Sequence, residues 1–215
     1  DGIRDVAVTG VQTCALPICN DNTALVDAIK HSNGKAKGVA SVSNKITDQE
    51  IDALNAAGIL GTRFNFLPRL VDTSVPHSVL LETAKRVAKR GWHVVVYFES
   101  QDLDKVEPFL KQIATTIVLD HMSVPDVKKG VEHEQWKRYL KLLDDNKNIW
   151  VKVTCPERIS KDGPPYDDFL PFAKSLTERF TDRILWGTDW PHPNMTTHTP
   201  DDGALVDTIP KFAVT

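Results

Sequence analysis

From Asn22 onward the chain alternates between two periods. Ala24, Leu25, Ala28 and Ile29 fall at the spacing of a helix with one apolar face; Asp21 or Asn22 offers an N-cap and Gly34 a stop. Residues 37–42 then read as a strand. Thr47 and Glu50 have the spacing of a capping box, which opens a helix through Ile51, Leu54 and Ala57 to Gly58. A strand over 59–66 and a helix over 78–89, closed by Arg90 and Gly91, come next. Residues 93–98 form an unbroken apolar run, as expected of a strand covered on both faces. The rhythm continues with helices over 103–113, 132–144 and 166–180 and strands over 116–121, 148–153 and 183–186. A last helical pattern runs from Asp201 towards Ile209.

These are roughly six strand–helix units of about 25–40 residues, the size of βα repeats. Strands separated by helices imply a parallel sheet, either a barrel or a doubly wound open sheet. No G-x-G-x-x-G and no P-loop occurs, so neither nucleotide fingerprint supports the open sheet. The expected fold is α/β, a (β/α) barrel over residues 20–215 with its active face at the strand C-termini. Residues 1–19 show no sustained period. Their stretch 10–18 resembles a translated sequencing adapter, and the segment is expected to be foreign to the fold. It does not read as a signal peptide, because it starts acidic and its apolar part is broken by Thr9, Gly10, Gln12 and Thr13.

Composition narrows the function. The 26 basic and 29 acidic residues give a net charge of −3, which argues against a nucleic-acid or anionic-membrane surface. No apolar run approaches the ~20 residues needed to span a bilayer. Three cysteines, Cys14, Cys19 and Cys155, are an odd count without metal-ligand spacing, which fits a reducing cytoplasm. Nothing in the sequence fixes an oligomeric state.

Candidate chemistry gathers where strands end. Past the strand at 183–186 come Gly187, Asp189, His192 and Asn194 on a loop stiffened by Pro191 and Pro193. The other strand ends offer Arg63 and Asn65, Tyr97 and Glu99, Asp120 and His121, and Lys152 and Thr154 with Arg158 nearby. Arg69 follows the second strand on a loop. Asp189, His121 and His192 suit proton handling or carbonyl polarisation. Arg63, Arg69 and Arg158 suit carboxylate binding, since a guanidinium pairs a carboxylate through two parallel bonds. Each has a plainer reading: a single arginine is more often a solvated surface group, and His121 with Asp120 can simply cap a turn. No metal is expected, because no His-x-His or His-x-x-x-His occurs and Tyr97 stands where a metal would want imidazole.

Several stretches carry a family resemblance: residues 61–72, 91–99, Val118 to Met122, Thr154 to Arg158, 163–168, Trp186 to Met195 and Pro200 to Gly203. Together they resemble the 2-pyrone-4,6-dicarboxylate lactonases, metal-independent members of the amidohydrolase superfamily with a distorted (β/α)8 barrel. The resemblance implies opening of a carboxylated lactone in lignin-derived aromatic breakdown, without a cofactor. By position, Asp189 would activate water and later protonate the leaving oxygen, and His121 would polarise the carbonyl. Arg63, Arg69 and Arg158 would hold the carboxylates, with Tyr97, His192 and Asn194 lining the pocket. The family's opening strand with its His-x-His is missing, so an incomplete barrel is expected. Val124 stands where the family pattern has an arginine, and Pro68 where a basic residue is common. Two rival readings follow: a catalytically inactive barrel fragment, or a metal-dependent hydrolase or decarboxylase of the same superfamily.

Overall fold

The computed structural model describes residues 20–67, 75–193, 195 and 199–213. The segment 1–19 and two expected site residues, Arg69 and Asn194, lie outside the described residues. Among those described, six strands form one sheet: β1 (Gly38–Ala40), β2 (Ile59–Asn65), β3 (His93–Tyr97), β4 (Ile117–Leu119), β5 (Ile149–Val153) and β6 (Ile184–Trp186). They lie side by side in chain order, every neighbouring pair parallel. Helices α1 (Thr23–His31), α2 (Asp48–Ala56), α3 (His77–Ala88), α4 (Leu103–Leu110) and α5 (Glu134–Asp145) separate successive elements. Between β5 and β6 lie α6 (Pro156–Ile159) and α7 (Leu170–Arg179), and α8 (Asp202–Val206) and α9 (Ile209–Phe212) close the chain. The described residues form an incomplete (β/α) barrel, with six of the eight strands that a closed one has.

The register divides each strand between two environments. Arg63 pairs with Val95, Val95 with Val118, Val118 with Trp150, and Lys152 with Leu185, so these side chains share one face. The alternate residues Phe64, Val94, Val96, Ile117, Leu119, Ile149, Val151 and Val153 share the other. That second face packs into the hydrophobic core with Ile51, Val87, Phe109, Leu110, Trp136, Leu143, Phe172 and Leu176 from the helices. Each fully buried valine or isoleucine contributes about 1.5–3 kcal/mol relative to exposure. The first face carries the charged strand residues Arg63 and Lys152, while on the second the buried Thr62 hydroxyl donates to the Ala40 carbonyl.

Most elements match their sequence signals. The Thr47 hydroxyl accepts from the Glu50 N–H while the Glu50 carboxylate accepts from the Thr47 N–H, a complete capping box. Three expectations need correction. The strand expected over 116–121 stops at Leu119, because His121 to Val124 turn into left-handed backbone. The helix expected over 166–180 begins only at Leu170, since Tyr166, just after Pro165, has φ 64°. The last helix is split in two, because Pro210 has no N–H with which to continue the ladder from α8.

Candidate active site

The chemistry-bearing side chains meet at the C-terminal ends of β2, β4, β5 and β6. Asp120, immediately after β4, is fully buried and takes Arg63 Nε at 2.9 Å and Lys152 Nζ at 2.8 Å. Burial alone would raise its carboxyl, but Lys152 and Arg63 overcome that and hold it below the usual carboxylate range. Two cations, Arg63 and Lys152, flank this one buried anion and form a wall suited to an anionic ligand. Arg63 also lies over the Tyr97 ring, 5.1 Å from its centroid, and Tyr97 meets the His121 ring edge-on at 5.3 Å.

His121 opens a run of four non-glycine residues in left-handed backbone, His121, Met122, Ser123 and Val124, with φ between 47° and 54°. Each costs roughly 1–2 kcal/mol. Cys155, Asp189 and His192 share that conformation at the neighbouring strand ends, so backbone strain gathers around the same groups. The His121 ring is buried. Its Nδ1 lies 2.6 Å from Thr154 Oγ and 3.1 Å from Cys155 Sγ, and its Nε2 lies 3.2 Å from Arg158 Nη2 and 3.6 Å from Asp189 Oδ1. Burial lowers its pKa to about 4 despite the pull of Asp120 and Asp189, so the imidazole is neutral at pH 7. Arg158 can only donate, so Nε2 accepts and Nδ1–H donates to the Thr154 hydroxyl. That hydroxyl can equally donate to Nδ1, which accommodates the other tautomer.

Arg158 is set by α6. Pro156 at the start of this short helix and the left-handed Cys155 before it bring the Cys155 thiol and the Arg158 guanidinium to one side. Arg158 Nη2 donates to Asp189 Oδ2 at 2.6 Å and lies 2.7 Å from Cys155 Sγ. Burial, then Asp189, push the thiol well above its ordinary range, so it is uncharged. Arg63, Lys152, Arg158 and Asp189 keep between 12% and 19% of their side chains accessible, enough to touch a ligand, whereas Asp120 keeps none.

Not every expected residue faces this cluster. His192, expected to line the pocket, is buried with Nδ1 3.3 Å from Glu157 Oε1 and Nε2 3.3 Å from Asp202 Oδ1. Nδ1 bonds the Glu157 carboxylate, which ties the loop after β6 to α6, while Nε2 lies beside the Asp202 carboxylate of α8 without a hydrogen bond. Asn65 caps its own turn by accepting from the Leu67 N–H. Glu99 accepts from the Gln101 amide. Three residues that strand-end reasoning passed over belong to the site or its support: Cys155, Glu157 and Asp202. A signal existed for the first, since Cys155 and Arg158 are spaced by about one helical turn.

One set of metal-capable side chains converges among the described residues: His121, Cys155 and Asp189, with donor atoms within 4.8 Å of one another. Arg158 Nη2 touches all three. A divalent ion placed there would meet a guanidinium already seated and a thiol that burial keeps protonated. The donor set does not fit a metal while Arg158 holds this position.

A family model described as Amidohydrolase matches residues 4–214. The chain is 52% identical over 203 residues to a 2-pyrone-4,6-dicarboxylate hydrolase of Comamonas testosteroni, covering 91% of this chain and 66% of that protein. It is 31% identical to a 4-sulfomuconolactone hydrolase of Rhizobium radiobacter, covering 90% of this chain and 65% of the relative. The chain thus spans just under two thirds of the length of these curated relatives. Among solved structures, a probable 2-pyrone-4,6-dicarboxylic acid hydrolase from Acinetobacter baumannii with citric acid bound superposes with a TM-score of 0.74. It shares 26% identity, with 89% of this chain and 72% of the other covered. With the parallel half-barrel and its strand-end cluster, these matches show that the chain belongs to the amidohydrolase family.

Proposed function

We propose that the chain hydrolyses a carboxylated lactone, with 2-pyrone-4,6-dicarboxylate as its substrate. The observation that carries this reading is the meeting of Asp189, a neutral His121 and Arg158 beside the wall formed by Arg63 and Lys152. A base, a carbonyl-polarising ring and carboxylate-binding guanidinium groups are what this hydrolysis needs. The 52% identity to a 2-pyrone-4,6-dicarboxylate hydrolase supports the same choice.

In this mechanism Asp189 takes a proton from water as its oxygen attacks the lactone carbonyl carbon. The His121 ring, in its Nε2–H form, donates to the developing oxyanion, with Thr154 donating to Nδ1. The tetrahedral intermediate collapses by breaking the ring C–O bond, and Asp189 returns its proton to the departing oxygen. One water is consumed, and a carboxyl and an enol hydroxyl are released. Arg63 and Arg158 hold the substrate carboxylates and Tyr97 lines the pocket, with Arg69 and Asn194 proposed for the same two tasks by their position in the sequence. No cofactor enters any step. A reducing, cytoplasmic setting agrees with a free buried thiol at Cys155 beside the reacting groups. No helix of the described residues is long and apolar enough to cross a membrane.

The test is ultraviolet-monitored hydrolysis of 2-pyrone-4,6-dicarboxylate, with and without chelator. Chelator-insensitive turnover is expected, and Asp189→Asn should lower kcat by about 10²–10⁴ because the amide cannot take a proton. Near-normal turnover in that variant would remove Asp189 from its role. Absence of turnover in the folded chain, together with hydrolysis of 4-sulfomuconolactone, would move the substrate to the sulfonated lactone, with Val124 the first position to change.

A further inference from the structure

The ion pair between Arg158 and Asp189 joins two groups whose proposed tasks conflict. A guanidinium that is to hold a substrate carboxylate is already bound to a protein carboxylate, and a base that is to take a proton from water is already accepting a hydrogen bond from arginine. The contact is short, 2.6 Å, and both partners are still reached by solvent.

The pairing is also incomplete. Arg158 approaches Asp189 through Nη2 alone, and its buried Nε has no hydrogen-bond partner among the described residues. An arginine–carboxylate pair at its best uses two nitrogens against two oxygens. Nη2 itself carries two hydrogens and faces three acceptors, Asp189 Oδ2, Cys155 Sγ and His121 Nε2, so one of them always goes unserved. A ligand carboxylate that takes both terminal nitrogens makes the two parallel bonds that Asp189, held through Nη2 alone, does not.

We infer that Arg158 is a specificity-determining lock: it holds Asp189 in the free protein and releases it when a carboxylate of the substrate takes its place. This rests on the reading of Asp189 as the base. Its consequence is that a carboxylate beside the scissile ester is required for the base to act, as well as for the substrate to bind. An uncarboxylated lactone that reaches the pocket meets a base still bridged to arginine. Releasing Nη2 also frees His121 Nε2 from accepting, which lets the ring adopt the tautomer that donates to the carbonyl.

Competition of this kind is measurable without turnover. The probe is benzene-1,3-dicarboxylate, which presents two carboxylates in the same meta relation on a ring that cannot open, and the measurement is calorimetric titration of the full chain. If Asp189 competes for Arg158, Asp189→Asn removes the competitor and tightens binding by about tenfold, the penalty of a binding-competent state populated at roughly one part in ten. The gain must then vanish when Arg158 is already gone, so Arg158→Gln and the double variant should bind equally. A gain of the same size in both backgrounds would be general charge repulsion and would overturn the lock, as would no gain at all. Should Arg158→Gln fail to fold, Arg158→Met, which keeps the apolar stem, takes its place in the cycle. Because the ligand is inert, failure of this cycle leaves the hydrolysis result standing, and failure of hydrolysis leaves the cycle readable.

Discussion

Asp120 touches no solvent, yet two cations depend on it. Removing its charge while keeping its shape, as in Asp120→Asn, leaves the largely buried Lys152 without this anion and weakens the hold on Arg63. The expected loss is about 3–5 kcal/mol, read as a shift of the urea midpoint, and Lys152→Met added to that variant should recover part of it. The sequence indicated Asp120, His121, Arg63 and Asp189 because each lies at or just past the end of an apolar strand, where a parallel fold exposes its residues. It could not indicate who pairs with whom. Arg158 and Asp189 are 31 positions apart, and their contact depends on a left-handed Cys155 and a left-handed Asp189, which no local preference of those residues announces. The surroundings of His192 were hidden for the same reason: the two carboxylates nearest its ring come from α6 and α8.

Helix α2 shows the reverse case, an element whose boundary is written locally. Thr47 and Glu50 satisfy each other's backbone N–H groups, and the helix starts where that box places it. Thr47→Ala should lower stability by about 1 kcal/mol in a thermal or urea melt, while binding of benzene-1,3-dicarboxylate stays unchanged, because α2 contributes nothing to the cluster at the strand ends. Elements that border the site were less legible. Strand β4 has three residues instead of the expected six, since the left-handed turn after Leu119 overrides the continuing apolar pattern at Met122. Gly61 on β2 is a similar hidden constraint: a Cβ there would lie 2.7 Å from the His93 ring, which would have to shift to admit it.

Across the molecule, the site couples to folding through protons. His121 titrates near 6.5 when unfolded and near 4 when folded, so the unfolded state takes up its proton first. Stability from this group is present above pH 6.5 and declines as pH falls towards 4, by on the order of 3 kcal/mol in all. Asp120, held below its unfolded value, extends the loss to lower pH. Glu157, whose carboxyl burial raises, works in the opposite direction. Urea midpoints between pH 7 and pH 4 should therefore slope downward, and His121→Gln should flatten that slope; an unchanged slope would place the acid sensitivity elsewhere.

The two-faced register of β2 to β5 has a consequence for how such a protein diversifies. Neighbouring codons within one strand answer to separate demands, one set filling the space beneath the helices and the other shaping the mouth. Selection for a new ligand can therefore rewrite every second residue at the strand tips while the remainder stays under purifying pressure for packing. The protein carries its evolvability in the pleat.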